Sequence, residues 1–254
     1  MTPTWTTLAP WSTLLPTLAE VGLNVVGVAE PDSVAASQGM RSAVVFGSGG
    51  PALWHAFVAA IQADPTVLTA HAHPFDRFVA RAIAAADPTP VDREWVRCAF
   101  DAERFVDFRP LARAAGFGWS GKLGLLMHPV HGPWQGLRAV CFTRQVLPRT
   151  GARSGPGPCA GCAAPCVDAC PTSAVSRSAR FDIRACAAHK QAGGCQGRCA
   201  ARNACPEGAG SRYPDLEQNY HDDRLSGRTR LVAELRIGAD GHVGEGPYWS
   251  DWVE

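Results

Sequence analysis

The sequence predicts an α/β body followed by a small cysteine-rich module. Apolar runs rich in β-branched residues, such as residues 42–47, alternate with segments whose apolar residues recur at helical spacing, such as residues 75–86. Eight of the ten cysteines come after this alternation, beyond a stretch dense in Pro and Gly at residues 147–158. The expected domains are a body over residues 1–147, a module over residues 148–210 and a C-terminal extension packing on the body over residues 211–254.

The single elements follow from local signals. Residues 12–22 place Leu14 and Leu18 on one helix face, with Ser12 as a candidate cap and Gly22 as the stop. The predicted elements after it are strands at 24–29 and 42–47, helices at 51–63 and 75–86, strands at 95–100 and 105–106, a helix from about 110, strands at 123–127 and 136–143, and a strand at 231–237.

Two glycine-rich stretches are candidate binding loops. Gly47-Ser-Gly-Gly50 lies between a predicted strand and a predicted helix, where backbone amides could receive a phosphate; a plain strand-to-helix turn is the alternative. Further on, three glycines alternate or nearly alternate with other residues between Gly116 and Lys122. That spacing indicates backbone held tightly against another surface, for which a ligand is one candidate.

The composition favours a globular protein. The chain is 46% hydrophobic, enough to bury a core, and its net charge of +1 gives no general basic field for a polyanion. No basic residue precedes Arg41, and no apolar run approaches the roughly 18 residues of a membrane helix. We therefore expect a cytoplasmic protein without membrane contact, in which cysteines bind metal rather than form disulfides.

The clustered cysteines have the number and spacing of an iron–sulfur module. Eight thiolates are what two [4Fe–4S] clusters need, and in two-cluster ferredoxins the cysteine of a Cys-Pro pair ligates the other cluster. This chain has two such pairs, Cys170-Pro171 and Cys205-Pro206. The crossed assignment gives one cluster Cys159, Cys162, Cys166 and Cys205, and the other Cys170, Cys186, Cys195 and Cys199.

Other ligations stay open at this point. Three residues, not two, separate Cys162 from Cys166, so a single cluster with spare thiols is an alternative. Zinc is less favoured, because the chain has only one C-x2-C pair. Cys98 and Cys141 lie in apolar strand contexts and are expected to be small buried residues, while His71 and His73 are expected to be structural or exposed.

Residues 95–206 resemble epoxyqueuosine reductases. The resemblance is carried by Phe105-Val-Asp107, Ala115-Gly-Phe-Gly-Trp-Ser-Gly-Lys122, Leu125-Leu-Met-His-Pro129, Gly132-Pro-Trp134, Ala169-Cys-Pro-Thr-Ser-Ala174 and Asp182-Ile-Arg-Ala-Cys186. It implies a nitroreductase-like mixed sheet with flanking helices that binds cobalamin, followed by a ferredoxin-like two-cluster module. In that family the clusters pass electrons one at a time to cobalt, which requires a low-potential donor.

The resemblance also implies site residues. Asp107 lies in a Val-Asp-x-x-Pro setting like the family's catalytic acid, so it is the candidate proton donor; a helix cap is the alternative. His128 or His131 is a candidate cobalt ligand or a hydrogen-bonding group. Trp119 and Trp134 could equally be core residues. The expected corrin contacts are Gly116, Gly118, Trp119, Gly121 and Lys122 in the first loop, and His128, His131 and Trp134 in the second.

From these observations the favoured function is an iron–sulfur, cobalamin-dependent oxidoreductase that reduces bound cobalamin and removes or exchanges its upper ligand. The expected partners are cobalamin and an external low-potential electron donor. The tRNA-gripping C-terminal repeats of many family members have no counterpart here, which with the near-neutral charge makes nucleic acid an unfavoured partner. Epoxide reduction on queuosine-modified tRNA is the first alternative, and electron transfer without cobalamin is the second.

Overall fold

The computed structural model describes residues 4–97, 105–178, 180–222, 224–235 and 237. After a 3-10 helix at Thr4–Thr7, the body contains α1 (Trp11–Glu20), β1 (Val25–Ala29), α2 (Ser33–Ser37), β2 (Ser42–Gly49), α3 (Ala52–Ala63), α4 (Thr66–Thr69), α5 (Pro74–Ala86), β3 (Arg93–Val96), α6 (Phe108–Ala114), β4 (Trp119–Ser120), β5 (Leu126–Met127) and β6 (Gln135–Thr143). The cysteine-rich part contains α7 (Pro165–Asp168), α8 (Ile183–Gln191), α9 (Ala200–Asn203) and a 3-10 helix at Ala209–Ser211, and α10 (Asp215–Asp222) and α11 (Arg224–Glu234) follow.

A four-stranded sheet forms the centre of the body. Its strand order is β1-β2-β6-β3, and each neighbouring pair is antiparallel. The short strands β4 and β5 form a separate antiparallel pair. The α/β fold class is therefore confirmed, and the described strand pairs of the expected mixed sheet are all antiparallel.

Helices cover both faces of this sheet. Successive residues of β2 point to opposite faces, so Phe46 packs with Trp11 and Phe57 on one side while Val45 packs with Phe108 on the other. Every residue of β2 is buried, which explains its continuous apolar run. No helix in the described ranges is long and apolar enough to cross a bilayer.

The body and the cysteine-rich part each contain residues from the other side of the boundary expected from the sequence. Tyr220 of α10 packs against the rings of Trp54 and Phe57 in the body. Conversely, Leu123 and Met127, which precede the Pro/Gly-rich stretch, pack in the apolar cluster of the cysteine-rich part. The domain boundaries inferred from the sequence therefore stay a prediction.

Several local predictions differ from the structure. Gly47–Gly50 matches the alternative of a plain strand-to-helix turn, because β2 continues to Gly49 and Ser48 accepts a hydrogen bond from Arg138 Nε at 2.9 Å. The predicted strand at 231–237 is wrong, since most of it lies in α11, where Leu231 is fully buried. The helix at 12–22 is confirmed as α1, although Pro10 and not Ser12 precedes its first turn.

The predicted strands near residue 100 are only partly described. β3 ends at Val96, and residues 98–104, including Cys98, lie outside the described residues. Cys141 is fully buried in β6, as expected for a small apolar residue, and burial raises the pKa of its thiol. His73 immediately precedes α5 and His71 is exposed.

A buried ion pair joins the end of α5 to the edge strand β3. Asp87 accepts two hydrogen bonds from Arg93, at 2.8 and 3.1 Å, and a third from Trp95 Nε1 at 2.8 Å. The side chains of Asp87 and Arg93 are only 7% and 12% exposed. Burial alone would raise the pKa of Asp87, but these donors lower it below its usual value, so the carboxylate stays charged and bonded.

We expect the Asp87→Asn variant to lower the free energy of unfolding by about 3 kcal/mol, because it leaves the buried Arg93 guanidinium without its counter-charge. The matched control is Asp92→Asn, which removes the same charge from an exposed pair with Arg144 and should cost less than about 1 kcal/mol. Urea unfolding followed by circular dichroism compares the two. Equal losses would show that the Asp87 pair does not stabilise the edge of the sheet.

Candidate functional site

The clustered cysteines fold into two groups of four. One group, Cys159, Cys162, Cys166 and Cys205, lines a single pocket beside Leu123 and Met127. In the other group the Cys186 thiol lies close enough to interact electrostatically with Cys199, Cys195 and Cys170. The two groups coincide with the crossed assignment expected from the Cys-Pro pairs, while ligation itself stays a prediction.

The thiols lie in surroundings that penalise a bare thiolate. Burial raises the pKa of Cys166, Cys186, Cys195 and Cys205, and neighbouring cysteines raise each further. At Cys170 burial acts the same way, but backbone N–H groups of Val175, Thr172 and Ala174 lower the pKa overall. Bound iron would supply the positive charge that four adjacent thiolates need.

The unusual three-residue gap in the first run is accommodated by a left-handed turn. Ala164 has φ of +58° and donates its N–H to Cys162 Sγ at 3.3 Å. Arg177 donates to Ala163 O at 2.7 Å, and Lys122 Nζ donates to Arg177 O at 2.7 Å. The longer gap therefore keeps Cys166 within the first group instead of displacing it.

A zinc ion and an iron–sulfur cluster require different arrangements of thiols. Among the described residues, no three or more His, Cys, Asp or Glu side chains form a group that could hold a single metal ion. A structural zinc site needs four ligands converging at about 2.3 Å on one ion. A cubane cluster instead binds each thiolate to a different iron, so its cysteines surround a volume. The four cysteines of the first group line one pocket, and their ligation of a cluster stays a prediction.

The first predicted cofactor loop packs against the protein's own chain. Gly116 has φ of +81°, and a Cβ there would lie 2.7 Å from Gly151 O. At Gly118 a Cβ would overlap the carbonyl of Met127, and at Gly121 it would lie 2.6 Å from Met127 Cγ. The surface inferred from the glycine spacing is therefore β5 and the Pro/Gly-rich stretch.

The same loop lines one wall of an open groove. The groove has a volume of about 440 Å³, and Cys159 lies in its wall. Half-buried Trp119 is fixed there by a hydrogen bond from Nε1 to Gly155 O at 3.1 Å. The groove volume lies within the roughly 300–1,000 Å³ range of small-molecule sites. This groove is the candidate cofactor site.

Two lining residues of the groove escaped the sequence analysis. Arg113 lies in α6, and Arg153 lies in the Pro/Gly-rich stretch. In the sequence each is only a cationic residue, one before and one after the glycine-rich loop. Their shared position can be recognised only after the chain folds back on that loop. Arg153 Nε donates to Gly116 O at 2.9 Å, which holds the two segments together.

His128 in the second predicted loop is not arranged to bind a metal. Its Nδ1 accepts hydrogen bonds from the backbone N–H groups of Val130 and His131, both at 3.1 Å. Burial, aided by the charges of His131 and Arg153, lowers the pKa of His128 to about 4, so the ring is neutral near pH 7. The remaining hydrogen then lies on Nε2, which leaves no lone pair there for cobalt.

His131 and Trp134 lie at the junction between the body and the cysteine-rich part. His131 Nδ1 is 2.7 Å from Ser211 Oγ, and its ring fills the space that a side chain at Gly49 would need. Trp134 is fully buried, with the Arg202 guanidinium 4.5 Å from its ring centre. These positions match the alternatives of a hydrogen-bonding histidine and a core tryptophan.

Asp107 caps α6. Its Oδ1 accepts from the backbone N–H of Arg109 at 3.0 Å, and its two oxygens receive a bidentate pair from the Arg109 guanidinium at 2.9 Å each. These bonds hold the pKa of Asp107 below its usual value. The cap is therefore observed, and in this conformation the side chain is a carboxylate near pH 7.

Comparison of the sequence with known proteins gives matches over part of the chain. No protein-family model matches. The epoxyqueuosine reductase of Synechococcus sp. (strain CC9605) is 36% identical over 97 residues, and that of Shewanella oneidensis is 32% identical over 104 residues. Each alignment covers 38% of this chain, but only 28% and 25% of the relative. The matched regions thus span about a quarter of these relatives' length.

Solved structures share the fold more widely. An epoxyqueuosine reductase crystallised with a modified tRNA-Tyr stem loop aligns with a TM-score of 0.54 over 82% of this chain and 68% of that one, at 13% identity. The C. elegans B12-trafficking protein CblC aligns with 0.53 over 88% and 94%, at 11% identity, and a catabolic reductive dehalogenase with 0.51 over 86% and 34%, at 17% identity. The resemblance to epoxyqueuosine reductases indicated by the sequence motifs is confirmed in both sequence and fold.

Proposed function

We propose that this protein is an oxidoreductase in which two [4Fe–4S] clusters deliver electrons to cobalamin, and that its substrate is an epoxyqueuosine residue in tRNA. The observation that carries the proposal is the position of Cys159, which belongs to the first cysteine group and also lines the groove. A cluster held by that group would lie beside whatever occupies the groove. Electrons would then need to cross only the groove wall.

The residues that would hold each group can be named. The two cysteine groups would ligate one cluster each. Gly118, Trp119, Gly121 and Lys122 would contact the corrin from the groove wall. Bound cobalamin would supply a cobalt centre that becomes a strong nucleophile when reduced. His128 and His131 would support the junction rather than bind cobalt.

Asp107 would handle a proton next to the reaction. Because Arg109 holds it as a carboxylate, a donor role requires that the ion pair be released when substrate binds. A solved relative, the epoxyqueuosine reductase of Bacillus subtilis, is described with its catalytic aspartate loop swung out of the active site. A comparable movement of Asp107 would free it from Arg109 and raise its pKa.

The substrate favoured by the sequence alone, cobalamin itself, is not the one that the comparisons favour. The curated relatives named above are epoxyqueuosine reductases, and one solved relative holds a tRNA stem loop. Cobalamin processing stays as a second candidate because CblC matches this chain over nearly its whole length. Its likeness is of fold alone, so it supports the cobalamin site more than the reaction.

One experiment separates the two reactions. The reconstituted protein, with hydroxocobalamin and a low-potential reductant, is offered epoxyqueuosine-containing tRNA in one reaction and methylcobalamin in another. Conversion of epoxyqueuosine to queuosine, read by mass spectrometry of digested tRNA, supports the proposal. Loss of the methyl group from cobalamin without any tRNA reduction would replace it with cobalamin processing.

The cysteine groups predict how iron is lost in pairs of substitutions. If the groups ligate as proposed, Cys162→Ser combined with Cys205→Ser removes one cluster, and roughly half of the iron remains. Cys162→Ser combined with Cys170→Ser should remove both clusters. Iron analysis and electron paramagnetic resonance of anaerobically reconstituted protein distinguish the pairs. The reverse pattern would mean that the first four cysteines share one cluster. As a control, the Cys141→Ala variant should keep all the iron.

The two roles of Asp107 separate because asparagine caps a helix about as well as aspartate. We expect Asp107→Asn to lower turnover by roughly 10²- to 10⁴-fold with little change in stability. Asp107→Ala should lose turnover similarly and also about 1 kcal/mol of unfolding free energy. Single-turnover assays and urea unfolding measure the two effects. Wild-type turnover in the asparagine variant would leave Asp107 only its capping role.

A further inference from the structure

The groove beside Cys159 carries an unbalanced positive charge. Of the ten residues that line it, Arg113, Lys122 and Arg153 are cationic and none is acidic. Like charges in one cleft repel each other, and the cost falls when an anion enters. The lining therefore selects for a negatively charged group on the occupant.

The two arginines are placed to bind an anion. Arg153 uses Nε for its bond to Gly116 O, and among the described residues its terminal amino groups meet no carboxylate. Exposed Arg113 likewise has no acidic partner in the described part of the chain. By contrast, Arg109 and Arg149 are paired with Asp107 and Glu30. Two guanidinium groups without a described carboxylate partner therefore line the groove.

The charge around the groove is regional. Between Phe105 and Arg184 the sequence has ten basic and three acidic residues, although the whole chain has a net charge of only +1. The acidic residues that balance this excess lie elsewhere in the sequence. A near-neutral total therefore hides a basic region around the groove, and the inference from total charge missed it.

We propose that Arg113 and Arg153 form a phosphodiester subsite in the groove, with Lys122 adding to its positive charge. The planar fork of a guanidinium matches two phosphate oxygens, which favours phosphate over a spherical anion. The proposal rests on the proposed function for its ligands, because both cobalamin, through its nucleotide loop, and tRNA, through its backbone, carry phosphodiesters. It adds to that function a site that recognises the phosphate.

Binding of two corrinoids tests the subsite directly. Hydroxocobalamin carries the phosphodiester, whereas aquocobinamide has the same ring without it. We expect the reconstituted full chain to prefer hydroxocobalamin by about tenfold or more, and Arg113→Gln combined with Arg153→Gln to abolish the preference. Arg149→Gln removes an exposed positive charge outside the groove and should keep the preference. Absorbance titration gives the three ratios.

A second titration uses an RNA stem loop at several salt concentrations. If the phosphate comes from RNA, the two corrinoids bind alike, and the double variant loses RNA affinity with a shallower salt dependence than the Arg149→Gln variant. Either pattern supports the subsite and identifies its source. Equal corrinoid binding together with unchanged RNA affinity in the double variant would overturn it.

The effect of phosphate on the melting temperature is a second test of the subsite. Inorganic phosphate should raise the melting temperature of the wild-type chain above that in chloride at equal ionic strength, and the double variant should show no such difference. Absence of the phosphate effect in the wild type would count against the subsite. Failure of tRNA reduction with an intact corrinoid preference would remove the proposed substrate but not the subsite, so the two ideas fail separately.

Discussion

The cysteine-rich part has little apolar material with which to hold itself together. Its buried cluster contains Leu123, Met127, Val175 and a few small residues, and several members are cysteines themselves. A core of that size rarely stabilises a fold without metal or covalent links. If the thiols bind iron as proposed, that binding would contribute to the folding free energy of this part, and the positions of α7, α8 and α9 would depend on it.

The body supplies the second support, through a close junction of two loops. Gly132 and Gly208 approach so closely that a side chain on either would overlap backbone of the other loop. Beside them Arg202 donates to Pro133 O at 2.6 Å and lies over Trp134, and its own N–H bonds Cys199 Sγ at 3.4 Å. A single residue thus links the body to the second cysteine group.

Some features could be predicted from sequence because their signals are local. The grouping of the cysteines follows from the two Cys-Pro pairs, and the cap at Asp107 follows from its place before Pro110. The segment 231–237 was misjudged because Leu231 and Val232 resemble a strand. Packing against α10 favours the helix here. Gly227 of α11 lies so close to α10 that a Cβ added to it would be 2.5 Å from Tyr220 Cα. The groove was missed because residues 113 and 153 meet only after folding.

The dual position of Cys159 has a consequence for how the protein is assembled. The loop that carries this cysteine forms part of the first cysteine pocket and part of the groove wall. If iron binds the first group as proposed, it would fix this loop, and the wall would reach its final shape only afterwards. Maturation would then proceed in a set order, metal first and the larger ligand afterwards, and oxidative loss of the first cluster would release that ligand as well.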